Sequence, residues 1–332
     1  MGIQICSFTP LSPLEVRLIE AVSPEVSLAD FGKWTGDERQ RQALARSDVV
    51  LAWTARFTRA DAPRTRWFHG VGAGVDHLLS GDLFRGGDVI LTNSSGVHAA
   101  PISEFVMANM LALARKLPRL MELKREHRWP SGQRGEFMVD EVAGKTVGIV
   151  GYGNIGRQVA ARARAFGMRV LGLHSGRPRA AGTLRWGAVD IEPDAMYQPG
   201  QLHEMLTASD FVVLSVAATA QTAGLIGLSE FRAMKPTAYL INVSRGSVVV
   251  EEALIRAVRE GLIAGAALDV FEQEPLPPDS PFYDLPNVIV SPHVAGLFSE
   301  FTARMADLFV ENLRRFLAGE PMYNVVDPER GY

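Results

Sequence analysis

Apolar and β-branched residues along this chain cluster in short runs through its middle: TVGIV, MRVLGL, FVVLSV, AYLINV, AGAALDV and NVIVSP. None alternates with polar residues, which is the pattern of strands buried on both faces of a parallel sheet. Segments with helical spacing lie between the runs, so residues 144–294 are predicted to form a doubly wound α/β sheet. A second, smaller set precedes it. Strands are predicted over residues 3–8, 48–53, 66–68 and 88–91, with a helix led by Pro13 over residues 13–19. Between the two sets, Pro101 opens a long helix in which Ile102, Phe105, Val106, Met110 and Leu113 recur at helical spacing. Pro118 interrupts it and a charged helix, MELKREHRW, follows; residues 298–317 read as a closing helix. The N-terminal set is too short to bury its own sheet, so the C-terminal tail is expected to return to it. The expected division is 1–98 plus 299–332 for one domain and 99–298 for the other.

Composition narrows the class. A chain of 332 residues, 47% hydrophobic and 21% charged, is long enough for two ordinary globular domains. Thirty-four basic against 37 acidic residues leave a net charge of −3, with no basic excess for nucleic acid. One cysteine, Cys6, excludes an internal disulfide and Cys-rich metal sites, so no metal is expected. No apolar run reaches the ~18 residues of a membrane helix. The start, MGIQICSFTP, carries no secretory pattern, and a cytoplasmic location is expected.

The cofactor is read from one turn. TVGIV runs directly into Gly151-Tyr-Gly153-Asn154-Ile155-Gly156 and then a helical segment. This is G-x-G-x-x-G in the strand–turn–helix context that binds a dinucleotide. The first glycine serves the tight turn, the second lets backbone approach a pyrophosphate, and the third brings the helix close to the sheet. The next strand should end at the residue that reads the adenine ribose. An acid there would select NAD; instead the strand runs into His174-Ser175-Gly-Arg177-Pro-Arg179. With no acid and two arginines, NADP is the expected cofactor, NAD remaining possible.

Three strand ends carry complementary chemistry. Asn242-Val243-Ser244-Arg245-Gly follows one strand, Leu268-Asp269-Val-Phe-Glu272-Gln-Glu274-Pro another and Ser291-Pro-His293-Val-Ala-Gly296 a third. Carboxyl ends of strands face the ligand crevice in an open parallel sheet. Reduction of a 2-oxo acid needs a proton and a counter-ion as well as a hydride. His293 is the candidate proton donor, Glu274 would orient its ring, and Arg245 could grip a carboxylate and polarise a carbonyl. Taken singly, Arg245 could cap a sheet, Glu274 could be a solvated loop acid and His293 a core histidine.

GYGNIG, NVSRG, ALDVFEQEP and SPHVAG, in this order, closely resemble the D-isomer-specific 2-hydroxyacid dehydrogenases. VGAGVDHLL, EPLPPDSPFYDLP and VVDPERGY resemble the NADPH-using glyoxylate/hydroxypyruvate reductases among them. The resemblance implies a Rossmann cofactor domain inserted into a smaller flavodoxin-like substrate domain, with a cleft between them. It implies that Arg245, Glu274 and His293 are catalytic, and that Asp269 lies by the nicotinamide carboxamide with Val243 and Ser244 bordering the cofactor. Gly72, Ala73, Gly74 and Val75 match the family's substrate loop, whose N–H groups would form an anion nest. It implies reversible reduction of a small 2-oxo acid to the D-2-hydroxy acid, and a homodimer paired through the Pro101 region. A dinucleotide-sensing binding protein without significant turnover is the alternative. Trp53, Phe57, His98 and Trp129 are candidates for the substrate pocket. Residues 182–201 are longer than expected between strand and helix, and a surface loop is the default there.

Overall fold

The computed structural model describes residues 2–79, 81–132, 134–174 and 185–331. By internal contacts the chain divides into two compact units: Met1–His98, Arg179–Ala188 and Phe298–Tyr332 form one, and Ala99–Pro178 with Val189–Leu297 form the other. The described residues 185–188 therefore group with the first unit, although they lie in the middle of the chain.

The first unit is built on β1 (Ile3–Ser7), α1 (Pro13–Glu20), β2 (Val26–Asp30), α2 (Glu38–Arg46), β3 (Val49–Ala52), β4 (Trp67–Gly70), α3 (Asp76–Leu79) and β5 (Ile90–Asn93). Its sheet runs β2-β1-β3-β4-β5 with every pair parallel, the flavodoxin-like order. Alternate residues of each strand enter opposite cores. Ile5, Val49, Leu51 and Trp67 pack with Ile19 and with Met305, Phe309 and Leu313 of the C-terminal helix Phe301–Ala318. Cys6, Val50, Ala52 and Phe68 pack with Leu44 and Leu78 on the other face. The returning tail thus covers a face that the first hundred residues leave open. Just beyond that helix, Val325 bridges Thr92 and the Val326 N–H donates to the Leu91 carbonyl at 2.8 Å, so the tail also seals the β5 edge.

The second unit comprises α4 (Ala99–Ala114), α5 (Leu117–Arg125), β6 (Thr146–Val150), α6 (Asn154–Ala165), β7 (Arg169–Leu173), β8 (Ala195–Tyr197), α7 (Leu202–Ala208), β9 (Phe211–Leu214), α8 (Leu228–Ala233), β10 (Tyr239–Asn242), α9 (Glu251–Arg259), β11 (Gly265–Leu268) and β12 (Val288–Val290). The parallel sheet runs β12-β11-β10-β9-β6-β7-β8, a Rossmann order whose direction of winding reverses between β6 and β9. One face buries Val147, Ile149, Val213 and Ile241 under α4 and α6; the other buries Val150, Leu171, Val212 and Leu240 under α7, α8 and α9. All six predicted strands of this unit are present. The seventh, β8, lies inside the stretch read as a surface loop. It is three residues at the sheet edge, none fully buried, too short to leave a periodic signal. The Ile191 carbonyl nearby accepts from the Tyr152 hydroxyl at 3.1 Å and from Arg157 at 2.8 Å, which ties that stretch back to α6. No helix among the described residues is long and apolar enough to cross a membrane.

His69, on β4, is fully buried between Thr92 and Ser94, at 2.7 and 3.1 Å from their hydroxyls. Burial pulls its pKa down from 6.5 to about 3, because the charged ring would lose its water. Unfolded, the ring takes a proton near 6.5; folded, only near 3. The stability tied to His69 is therefore complete above pH 6.5 and is lost as pH falls toward 3, by at most about 1.4 kcal/mol per pH unit. Urea midpoints measured between pH 7.5 and 4.5 should fall more steeply for the wild type than for His69→Gln. Equal slopes would remove His69 from the account.

Candidate active site

Strand ends of the second unit gather the site. The turn after β6 places Gly151 at φ +97°, where a side chain is strained, and a Cβ there would lie 2.7 Å from the Ser215 carbonyl carbon. Gly156 faces the backbone: its Cβ would stand 2.6 Å from the Gly151 oxygen. Gly153 differs, because nothing lies within 4 Å of the Cβ it lacks. Gly153 is also the N-cap of the twelve-residue α6, and no side chain caps it. The first N–H groups of α6, from Asn154 and Ile155 onward, thus begin at a glycine that leaves room for a pyrophosphate to approach. The residues fit a dinucleotide.

His174 follows β7. Its Nε2 lies 3.2 Å from Gln198 and its N–H donates to the Tyr197 carbonyl at 3.4 Å. Ser175 and Arg177 lie outside the described residues.

β10, β11 and β12 are neighbours, so the segments beyond them emerge side by side. After β10, Asn242 organises the turn. Its Oδ1 accepts from the Ser244 N–H at 3.0 Å and hydroxyl at 2.7 Å, and its amide donates to the Arg245 carbonyl at 3.0 Å. Val243 is buried and Arg245 partly so, its guanidinium donating to the Ser244 carbonyl at 2.9 Å. Gly246 is where two loops touch. A Cβ there would fall 1.9 Å from the Phe271 carbonyl carbon, so only glycine lets the 271–274 segment lie against the Arg245 turn.

After β11, Asp269 is 2% exposed, and both carboxylate oxygens are engaged. Oδ1 accepts from the Ser291 hydroxyl at 2.7 Å and the Val294 N–H at 2.9 Å; Oδ2 accepts from the Ala295 N–H at 2.8 Å. The Asp269 carbonyl accepts from the His293 N–H at 2.9 Å. These four bonds fix the loop after β12 and hold His293 in a left-handed conformation, φ +56°. Gly296 lies in the turn that follows. The His293 Nδ1 is 2.8 Å from Glu274 Oε2, and Glu274 Oε1 accepts from the Phe271 N–H at 3.0 Å. A carboxylate can only accept, so Nδ1 carries the ring proton in this pair and Nε2 faces away from it. His293 is about half exposed, at 49% of its side chain.

In the first unit, Gly72, Ala73, Gly74 and Val75 form the turn between β4 and α3. It is held by the Val71 N–H on the Ala52 carbonyl at 3.1 Å, the Ser94 N–H on the Gly72 carbonyl at 3.0 Å and the Asn93 amide on the Ala73 carbonyl at 2.9 Å. The absent Cβ of Gly72 would sit 3.3 Å from the Trp53 ring. Of the four pocket candidates, two come together. Trp53 and His98 both pack on Phe301, with ring centroids 5.6 and 4.7 Å away. Phe57 is instead a core residue among Phe8, Trp34 and Phe68. Trp129 belongs to the second unit rather than the first and is 86% exposed, so it does not join Trp53 and His98. Sequence reasoning missed Asn93, Asn242, Gly246 and Phe301. Asn242 and Gly246 stood within the NVSRG motif; Asn93 and Phe301 carried no local signal.

Residues 107–295 match the family described as D-isomer specific 2-hydroxyacid dehydrogenase, NAD binding domain. The glyoxylate reductase of Korarchaeum cryptofilum is 39% identical over 269 residues, covering 81% of this chain and 78% of that one. Glyoxylate/hydroxypyruvate reductase B of Pectobacterium carotovorum is 38% identical over 81% of each chain. The chain belongs to the D-isomer-specific 2-hydroxyacid dehydrogenases. Among solved structures, the NADPH-dependent glyoxylate/hydroxypyruvate reductase of Sinorhizobium meliloti, in complex with NADP and sulfate, superposes with a TM-score of 0.81. It is 28% identical, over all of both chains. As a member of this dehydrogenase family the protein is an oxidoreductase acting on a CH–OH group, and its cofactor is a nicotinamide dinucleotide.

The clamp on the His293 loop is directly testable. Asp269→Asn keeps the shape but replaces one acceptor with a donor facing N–H or O–H groups. Hydrogen bonds to a charged group contribute about 1.5–3 kcal/mol each. Asp269→Asn should therefore lower the unfolding free energy by about 2 kcal/mol or more, and amide exchange should quicken at Val294 and Ala295. Unchanged exchange at those two amides would contradict the clamp.

Proposed function

We propose that this dehydrogenase reduces a small 2-oxo acid of the glyoxylate/hydroxypyruvate type to the D-2-hydroxy acid, reversibly, with NADPH preferred to NADH. The observation that carries the reading is the His293–Glu274 pair at 2.8 Å, on loops that emerge beside the Arg245 turn. The bound dinucleotide supplies the hydride. His293 delivers the proton to the carbonyl oxygen from Nε2, and Glu274 orients the ring from the opposite side. Arg245 pairs with the substrate carboxylate and polarises the carbonyl. Gly72, Ala73, Gly74 and Val75 offer backbone N–H groups to the same carboxylate. Gly151, Gly153 and Gly156 seat the pyrophosphate, and Val243, Ser244, Asp269 and Gly296 border the nicotinamide.

The preference for NADPH rests on His174 where an acid would read the ribose 2′-hydroxyl, and on Arg177 in the sequence just beyond. The small substrate rests on the names of the relatives, which are glyoxylate and hydroxypyruvate reductases. A homodimer is supported by exposed Leu117, Leu120 and Met121 on α5, an apolar patch that a second copy would cover.

Loss of reduced-nicotinamide absorbance, with NADPH and NADH each crossed against glyoxylate, hydroxypyruvate and phenylpyruvate, tests the reading. The two small acids with NADPH should turn over fastest. His293→Ala should lower kcat about 10²–10⁴-fold while leaving the NADPH Kd unchanged by fluorescence titration. Near-normal turnover of that variant would overturn the mechanism. Arg177→Ala should weaken NADPH at least tenfold and leave NADH unaffected; equal effects on both would remove the assignment.

A further inference from the structure

Trp186 and Asn324 make a contact that the reading above does not use. Residues 185–188 are an excursion between β7 and β8 that groups with the first unit. There the Trp186 backbone N–H donates to Asn324 Oδ1 at 3.1 Å, and the Trp186 ring meets Tyr323 edge-on, with centroids 5.5 Å apart. Gly187, at φ +62°, brings its backbone against the Gly96 carbonyl, which a Cβ would meet at 3.5 Å. The short excursion thus rests on two surfaces at once, the C-terminal tail and the turn after β5.

Asn324 is a buried hub. It holds a left-handed backbone at φ +55° and is 4% exposed. Its amide nitrogen donates to the Asn93 carbonyl at 3.0 Å and the Ser95 carbonyl at 2.8 Å, and its own carbonyl accepts from the Asn93 N–H at 3.3 Å. Asn93 in turn donates its side-chain amide to the Ala73 carbonyl at 2.9 Å, and its Oδ1 accepts from the Ser95 N–H at 3.1 Å. An unbroken series of bonds therefore runs from Trp186 through Asn324 and Asn93 to Ala73.

We propose that Asn324, itself fixed by Trp186, is a positioning residue for the carboxylate-binding loop, acting through Asn93 on Ala73. The physical reason is preorganisation. Backbone N–H groups bind an anion well only if they already point at it, and a loop of small residues has little packing of its own to aim it. Holding the Ala73 carbonyl sets the plane of its own peptide, whose N–H is that of Gly74. The inference rests on the assignment of residues 72–75 to the substrate carboxylate under Proposed function.

Asn324→Gly keeps the left-handed backbone and deletes only the side chain. Asn324→Asp keeps the acceptor for Trp186 but turns a carboxylate toward two carbonyls. In both variants the KM for glyoxylate should rise about tenfold or more, with kcat within threefold and the KM for NADPH unchanged. Trp186→Ala keeps the backbone N–H on Asn324 but removes the ring that seats it against Tyr323; it should raise the glyoxylate KM about threefold and remains testable if the Asn324 variants fold poorly. Hydrogen exchange is read alongside, without substrate: the Ser94 and Leu78 amides, which donate to the loop carbonyls of Gly72 and Val75, should lose protection in the Asn324 variants and less so in Trp186→Ala. A lowered melting temperature with unchanged glyoxylate KM and unchanged exchange at those amides overturns the proposal, as does an equal rise in both KM values. If the wild type turns over no 2-oxo acid, the functional reading fails by itself. The exchange measurement still decides the tie, faster exchange supporting it and unchanged exchange overturning it.

Discussion

The Asp269 carboxylate is buried at the end of β11 and accepts three hydrogen bonds, all from the loop that follows β12. A buried charge without partners is costly, so this carboxylate stabilises one arrangement of that loop against all others. The loop is the one that carries His293, whose N–H is held by the Asp269 carbonyl as well. The Glu274 pairing then adds orientation to a backbone already placed, since Glu274 is anchored in turn on the Phe271 N–H. Gly246 closes the set from the other side by letting the 271–274 segment lie directly on the Arg245 turn. Arg245, Glu274 and His293 thus depend for their placement on contacts made by Asp269, Phe271 and Gly246.

That arrangement exists because the sheet is parallel. Strands that all run the same way deliver their C-terminal loops to one edge, and strand order decides which loops are adjacent. The order β12-β11-β10 brings together segments from three separate parts of the sequence, while β6 and β9 flank the reversal of winding beside the glycine turn. Cores on both faces keep the strands rigid enough to hold loops at hydrogen-bonding precision. The first unit uses the same device on a smaller scale, borrowing the C-terminal helix to complete one of its cores.

Legibility followed burial. The six central strands were readable because each is a mainly apolar run without polar alternation, and the glycine turn because its spacing has a fixed physical meaning. β2 escaped notice, since VSLAD at the sheet edge buries only Val26. α2 escaped because ERQRQALAR is mostly polar and inserts only Gln40 and Leu44. β8 is an edge strand of three residues inside an irregular stretch. In each case the element is stabilised mainly by its neighbours, so the local sequence carries little trace of it.

By itself the sequence determined the apolar runs, the glycine-lined turn, the placement of Arg245, Glu274 and His293 beyond successive strands, and through its motifs the family. These are local properties, written in residues a few positions apart. The tertiary structure decided what meets what. It set Asp269 against a loop more than twenty residues downstream, buried His69 so deeply that it stays neutral, sent Phe57 into the core, and joined Asn324 to Asn93 across a separation of 231 positions. Such contacts depend on the directions in which distant backbones converge, and a polar side chain bears no local mark of the partner that will satisfy it.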